Sequence, residues 1–141
     1  MSFMTATSFF DTNIFLYVVS AADEDAPKRA KAAALITACD FAISIQVMQE
    51  FADAALRKKR LGVTPEEVRI MLEELAGSYP VLSPTPGLVF RALDLSRRYQ
   101  IRYYDAAILA AAQELGCQTL YTEDLNHGQT YDSVEVINPF L

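Results

Sequence analysis

Apolar positions along the chain come in short blocks separated by polar turns, and the blocks switch between strand-like and helix-like spacing. Thr7–Phe10 is a brief apolar run that stops at Asp11-Thr12-Asn13, the pattern of a buried strand ending in a polar turn. Ile14–Val19 continues apolar and predicts a short helix. Asp23-Glu24-Asp25 ahead of Pro27 marks the start of an Ala-rich helix over Pro27–Ala38, because Pro is tolerated in the first helical turn and acids suit the dipole there. Phe41–Ile43 predicts a second strand. Ser44 is then a candidate N-cap for a helix from Ile45 to about Arg60, closed by Gly62. On that helix Val47, Phe51, Ala54 and Ala55 share one face, and Glu50 lies on the same inward side.

Thr64-Pro65-Glu66-Glu67 is a capping box with Pro at the first helical position. It opens a helix to about Ala76 with the stripe Val68, Met71, Leu72 and Leu75, ended by Gly77. Val81-Leu82 predicts a short strand. Thr85-Pro86 begins a helix with Val89, Ala92, Leu93 and Ser96 inward. Tyr104–Leu115 predicts a helix that is apolar almost all round and closes at Gly116; such a helix belongs inside a domain. Its first turn carries one carboxylate, Asp105. Thr119–Thr122 and Val134–Ile137 are the last two predicted strands.

Strands separated throughout by helices imply an α/β domain with a mostly parallel sheet, in one unit over residues 1–141. Parallel strands place their carboxyl ends along one edge, where open sheets of this kind form a ligand crevice. Asp11 follows the first strand directly, and Asp124 follows the Thr119–Thr122 strand. Glu50 lies six residues past Ser44, about 9 Å along its helix at the usual rise, and Asp105 begins the central helix. Each acid has an ordinary explanation alone: Asp105 as a helix cap, Glu50 as a rim residue with a packed stem and a wet head. Together they are candidates for one crevice.

Composition narrows the classes. Apolar residues make up 52% and charged residues 21%, which is globular rather than disordered. Apolar runs such as Ala106–Ala112 are too short to span a bilayer. The N-terminus shows no basic region followed by an apolar one, so no secretion signal is expected. Cys39 and Cys117 form no metal pattern and are expected reduced and half-buried, which points to a cytoplasmic protein. The net charge of −6 argues against holding nucleic acid by charge alone. Arg57-Lys58-Lys59-Arg60 is the one dense basic run; it reads first as a solvated helix end with a favourable dipole interaction and second as an RNA- or partner-facing patch.

Two bare carboxylates about 4 Å apart repel by about 4 kcal/mol at an effective dielectric of 20. A cluster of them therefore calls for protons or a cation. All-oxygen ligation selects a hard ion such as Mg²⁺ or Mn²⁺, and the chemistry that suits it is phosphodiester hydrolysis. No P-loop, GxGxxG or Gly-x-Ser-x-Gly elbow offers a competing chemistry. The single histidine, His127, reads as a turn residue.

Four blocks carry a resemblance: Asp11-Thr12-Asn13, Gln46-Val47-Met48-Gln49-Glu50-Phe51, Tyr104-Asp105-Ala106-Ala107-Ile108 and Tyr121-Thr122-Glu123-Asp124-Leu125. In order and spacing they resemble the signature blocks of PIN-domain ribonucleases, closest to the VapC-like toxins of type II toxin–antitoxin pairs. The resemblance implies a Rossmann-like α/β/α sandwich and a metal site made from Asp11, Glu50, Asp105 and Asp124. It implies a supporting role for the Thr122 hydroxyl and a place for Asn13 beside the site, where plain turn chemistry accounts for Asn13 equally well. It further implies Mg²⁺- or Mn²⁺-dependent cleavage of RNA by metal-activated water, leaving a 5′-phosphate and a 3′-hydroxyl. A VapB-type antitoxin and a homodimer are the implied partners. Gln49 stands where these toxins often carry Asn, and Asn126 stands near a further acid of some relatives, so neither is carried over. A PIN nuclease of RNA processing and a non-cleaving module that binds metal or RNA remain open alternatives. Arg102 and Tyr103 read as ordinary rim residues before contacts with RNA. A Mg²⁺ phosphatase on a similar sheet is disfavoured, since no Asp-x-Asp follows the first strand.

Overall fold

Ser8, Phe9 and Phe10 are all buried, and strands covered on both faces read as continuous apolar runs. They form strand β1 (Ser8–Phe10), which sits inside the sheet in a computed structural model that describes residues 6–141. The chain continues through α1 (Thr12–Val19), a 3-10 turn at Asp23–Asp25, α2 (Ala26–Ala38), β2 (Phe41–Ser44) and α3 (Ile45–Arg57). After a second 3-10 turn at Lys59–Leu61 come α4 (Pro65–Ser78), β3 (Val81–Leu82), α5 (Pro86–Tyr99) and α6 (Tyr103–Glu114). Strands β4 (Thr119–Tyr121), β5 (Thr130–Tyr131) and β6 (Val134–Ile137) complete the order. The absence of a secretion signal was expected from the extreme N-terminus, and residues 1–5 lie outside the described residues.

The sheet has six strands in the order β3-β2-β1-β4-β6-β5, with every neighbouring pair parallel except β5 with β6. This is the expected α/β architecture, a mostly parallel sheet flanked by helices. The chain moves outward from β1 to β2 and β3, then returns to the other side of β1 at β4. That reversal creates a switch point, and the Asp11 backbone N–H reaches across it to the Tyr121 carbonyl at 3.1 Å. Phe10 stacks on Phe41 with ring centroids 4.2 Å apart, and Phe41 stacks on Tyr79 at 3.9 Å, so the aromatic core runs beneath the same edge.

Local caps match the sequence where they were read from single residues. The Ser44 side chain accepts from the Val47 N–H, and Thr64 with Glu67 closes a reciprocal capping box. Three expectations need correction. Helix α3 stops at Arg57 instead of Arg60, because the chain tightens into the 3-10 turn and Gly62, at φ +69°, closes that turn. The Ala21 N–H bonds the Leu61 carbonyl at 2.9 Å and holds the turn against the end of α1. Gly77 does not end its helix, which runs on to Ser78. On α5 the buried face is Ala92 and Leu95, while Val89 and Leu93, expected inward, are 42% and 53% exposed. The α6 helix packs along that side, and its Ala-rich surface fits the Ala92–Leu95 edge. Strand β5 had no sequence signal: two residues cannot establish a period.

Candidate functional site

Asp11 leaves the carboxyl end of β1 and caps α1, with Oδ1 accepting from the Thr12 N–H at 2.7 Å. Its other oxygen accepts from the Thr122 hydroxyl at 2.8 Å. Asp11 is only 5% exposed. Burial drives its pKa up to about 7, further raised by the charges of Asp124 and Glu50 and opposed by the bonds from Thr12 and Thr122. A carboxylate so placed is poised to take a proton or a cation.

Thr122 is the hub of the cluster. Its fully buried hydroxyl donates to Asp11 and accepts from Asn13 Nδ2 at 3.4 Å and from the Asp124 N–H at 3.1 Å. One donor and two lone pairs are thereby all used. Asn13 Nδ2 also donates to Asp124 Oδ2 at 3.2 Å, which fixes the amide orientation because only the nitrogen can face a carboxylate. Asn13 Oδ1 is then left buried with no partner among the described residues. An orphaned buried acceptor is costly unless a donor or cation meets it.

Glu50 reaches the same crevice from α3. Its Oε2 accepts from the Thr12 hydroxyl at 3.3 Å and its Oε1 from Gln46 Nε2 at 2.8 Å. Gln46 Nε2 also donates to the Tyr104 carbonyl at 3.2 Å, tying Glu50 to the first turn of α6 and so to Asp105. Sequence reasoning assigned no role to Thr12 or Gln46. The spacing of Gln46, one helical turn before Glu50 on the same face, was the available signal for the second. Asp105 has no hydrogen bond of its own among the described residues; burial raises its pKa, as do Asp124 and Glu50, while Arg102 lowers it. Asp124 is raised by burial and by Glu123, against lowering from Asn13, Arg102 and Lys58.

Asp11, Asn13, Glu50 and Asp124 line one open cavity of about 330 Å³, together with Thr12, Tyr17 and Glu123. Asp105 is not on its wall, though it lies close enough for the charges of Asp124 and Glu50 to act on it. Among the described residues no three acids converge tightly enough to hold an ion as they stand. The donor set is all oxygen, one carboxylate is held near neutrality by burial, and an amide oxygen lacks a partner; these features fit a hard divalent cation. At the rim, Lys28 Nζ bridges the Tyr17 hydroxyl at 3.0 Å and Glu123 Oε2 at 3.1 Å, compensating the acid next to Asp124. His127 lies outside the cluster, its Nδ1 accepting from the Asn138 N–H at 3.0 Å. Cys39 and Cys117 are free thiols, Cys117 buried and Cys39 partly so.

The family model for the PIN domain matches residues 8–132. No curated protein sequence matches. Among solved structures, a toxin–antitoxin complex from Klebsiella pneumoniae aligns with TM-score 0.69 and 22% identity, over 94% of this chain and 97% of that one. VapC20 of Mycobacterium tuberculosis, a sarcin–ricin loop cleaving toxin, aligns with TM-score 0.67 and 19% identity, over 83% and 91%. VapBC2 of Rickettsia felis, bound to a DNA fragment from its promoter, aligns with TM-score 0.63 and 16% identity, over 92% and 96%.

Proposed function

The chain belongs to the PIN-domain family, and from that premise we propose that it is the toxin of a toxin–antitoxin pair, an endoribonuclease dependent on Mg²⁺ or Mn²⁺. The observation that carries this reading is that Asp11, Glu50 and Asp124, from three separate segments, line one cavity, with Asp105 close enough for the charges of Asp124 and Glu50 to act on it. Acids brought together at such cost call for a proton or a cation to compensate them, and the all-oxygen donor set suits a cation.

These four carboxylates would hold the ion, with Asn13 Oδ1 available as a neutral acceptor for its coordinated water. When bound, the ion supplies an acidified water and charge neutralisation at the phosphoryl oxygens. The remaining work falls to the chain. Thr122 sets the Asp11 carboxylate and the Asp124 backbone in one frame, so the two acids cannot rotate independently. Gln46 holds Glu50 against the start of α6. Asn13 fixes the Asp124 side chain from the α1 side. These bonds, of 2.8 to 3.2 Å, tie α1 to the turn after β4 and α3 to the start of α6, which is how a rigid site keeps its donors in place before substrate arrives.

A VapB-type antitoxin is the proposed partner, supported by the toxin–antitoxin complexes that share this fold. A homodimer is supported by the exposed apolar strip Val89, Phe90 and Leu93 on α5, beside a groove lined by Leu82, Leu88 and Tyr103. We place the protein in the cytoplasm, the chain acting as one unit over residues 1–141. No helix among the described residues is long and apolar enough to cross a membrane.

The test is cleavage of a pooled tRNA and rRNA substrate by antitoxin-free protein in Mg²⁺, in Mn²⁺ and in EDTA. Discrete fragments that require metal and disappear with Asp105→Asn are expected. A folded, partner-free protein that yields none would overturn the reading.

A further inference from the structure

The basic run at the end of α3 is divided by the fold. Arg57 pairs with Asp53 on its own helix, Nη2 to Oδ2 at 3.5 Å. Arg60 is turned onto Asp25 at 2.8 Å and Glu24 at 3.5 Å. Lys59 is exposed and off the cavity wall. Lys58 differs from all three. Arg57 and Arg60 share with it the wall of the cavity that holds Asp11, Glu50 and Asp124, but Lys58 alone of the four is half-buried, and its ammonium has no ion pair or hydrogen bond among the described residues.

A second cation is placed in a comparable way. Arg102 is the N-cap residue of α6, three positions before Asp105, and it is exposed with no ion pair among the described residues. A positive charge at a helix N-terminus is opposed by the dipole, so Arg102 adds nothing to the helix it opens. Lys58 stands on the wall of the acid-lined cavity, and Arg102 opens the turn of α6 whose Tyr104 carbonyl is tied through Gln46 to Glu50. A chain with net charge −6 can hold a polyanion only where cations are local and uncommitted.

We propose that Lys58 and Arg102 are the phosphate-binding residues of the crevice, gripping the backbone of a single-stranded RNA on separate elements beside the four carboxylates. This rests on the ribonuclease reading above and adds to it which side chains hold the strand. Lys58 lies eight residues past Glu50, about 12 Å along the chain axis by helical rise, and Arg102 sits one turn before Asp105. A strand bound to both would pass the acids between its two points of attachment. Contacts of this kind carry affinity and register without reading bases.

The experiment is fluorescence anisotropy of a short labelled random-sequence single-stranded RNA, titrated with wild-type protein across a salt series in Ca²⁺, with cleavage of the same RNA followed in Mg²⁺. Lys58→Gln and Arg102→Gln are each expected to weaken binding by about 3-fold or more and to reduce the slope of log K against log salt by about 0.7. The loss should fall on KM more than on kcat. Lys58→Arg and Arg102→Lys should restore the slope, and Lys59→Gln should leave it at the wild-type value. Slopes unchanged in Lys58→Gln and Arg102→Gln, with wild-type protein still cutting, would overturn this assignment and leave the ribonuclease reading standing. An equal slope loss in Lys59→Gln would overturn it too, since the cations would then act as diffuse charge. Wild-type protein that neither binds nor cuts the RNA would overturn both.

Discussion

Asp11 and Asp132 are both carboxylates held by several side chains, and their surroundings push them in opposite directions. Asp132 sits in the β5–β6 turn at φ +55° and accepts from the Tyr99 hydroxyl at 2.7 Å, from Arg91 Nη2 and Arg98 Nη1 at 2.9 Å each, and from Gln113 at 3.3 Å. The Tyr99 bond, then Arg98, Gln113 and Arg91, hold its pKa below the usual carboxylate range. Asp11 has only neutral donors, deeper burial and two acids for neighbours, and its pKa rises to about 7. Asp132 is a finished structure: its charge is met by cations the chain itself supplies, and it clamps the terminal hairpin to α5. No cation bonds Asp11 among the described residues: Lys28 and Arg60 are committed to Glu123 and Asp25, and Lys58, on the same cavity wall, makes no bond to it. A chain able to satisfy one carboxylate so completely and leaving another so exposed to its own repulsion points to a ligand at the second.

The largest effects should separate the two regions by activity. Asp11→Asn and Asp105→Asn are expected to reduce RNA cleavage by about 100-fold or more, while Asp132→Ala, assayed where it remains folded, should stay within a few-fold of wild type. Loss of cleavage in all three at equal folded fraction would erase the functional contrast.

The next effect is on pH. A folded pKa of about 7 for Asp11 against about 3.9 unfolded means the native state binds the proton more tightly. Metal-free protein should therefore lose stability as pH rises from about 4 to 7, by on the order of 3–4 kcal/mol at most. Asp132 has the opposite sign: its contribution is present above about pH 4 and is lost as pH falls through its lowered folded value. Urea denaturation across pH in EDTA should show Asp11→Asn abolishing the loss towards pH 7 and Asp132→Ala abolishing the contribution lost in acid. Adding Mg²⁺ should flatten the wild-type profile near pH 7 and raise Tm, by the linkage between binding and folding, with no such shift in Asp11→Asn.

At neutral pH Asp132→Ala should cost about 2 kcal/mol, from charge-assisted hydrogen bonds lost and a left-handed backbone that Ala tolerates poorly. Asp11→Asn in EDTA should be neutral or stabilising. If both destabilise equally, Asp11 is a structural residue like Asp132. The smallest effect is expected from Arg91→Ala, below about 1 kcal/mol, since Arg98 and Tyr99 still meet the carboxylate and Arg91 is half exposed.

Short-range chemistry was legible in the sequence. The caps at Ser44 and Thr64, the parallel α/β alternation, the buried α6 and the polar ends of β1 and β4 all follow from residues within one or two helical turns of each other. So were the candidate acids, because a carboxylate in an otherwise apolar helix or just past a buried strand has few cheap explanations. The α5 face was misread for the same reason: Val89, Ala92 and Leu93 make an equally good stripe, but α6 meets the helix on the side of Ala92 and Leu95, leaving Val89 and Leu93 outside. Periodicity establishes that a helix has a face; its neighbours decide which one is buried.

What only the tertiary structure decided is how each charge is employed. Thr122 meets Asp11 across 111 residues and Asn13 meets Asp124 across the same span. Asp132, unremarkable in the sequence, gathers partners from α5 and α6, and four consecutive basic residues divide into two paired arginines, one solvated lysine and one lysine facing the acids. Local pattern determines which groups are charged and where the chain turns. Whether a charge is paid for by a partner or left for a ligand depends on distances between segments remote in sequence, and those exist only once the sheet has brought β1 and β4 side by side.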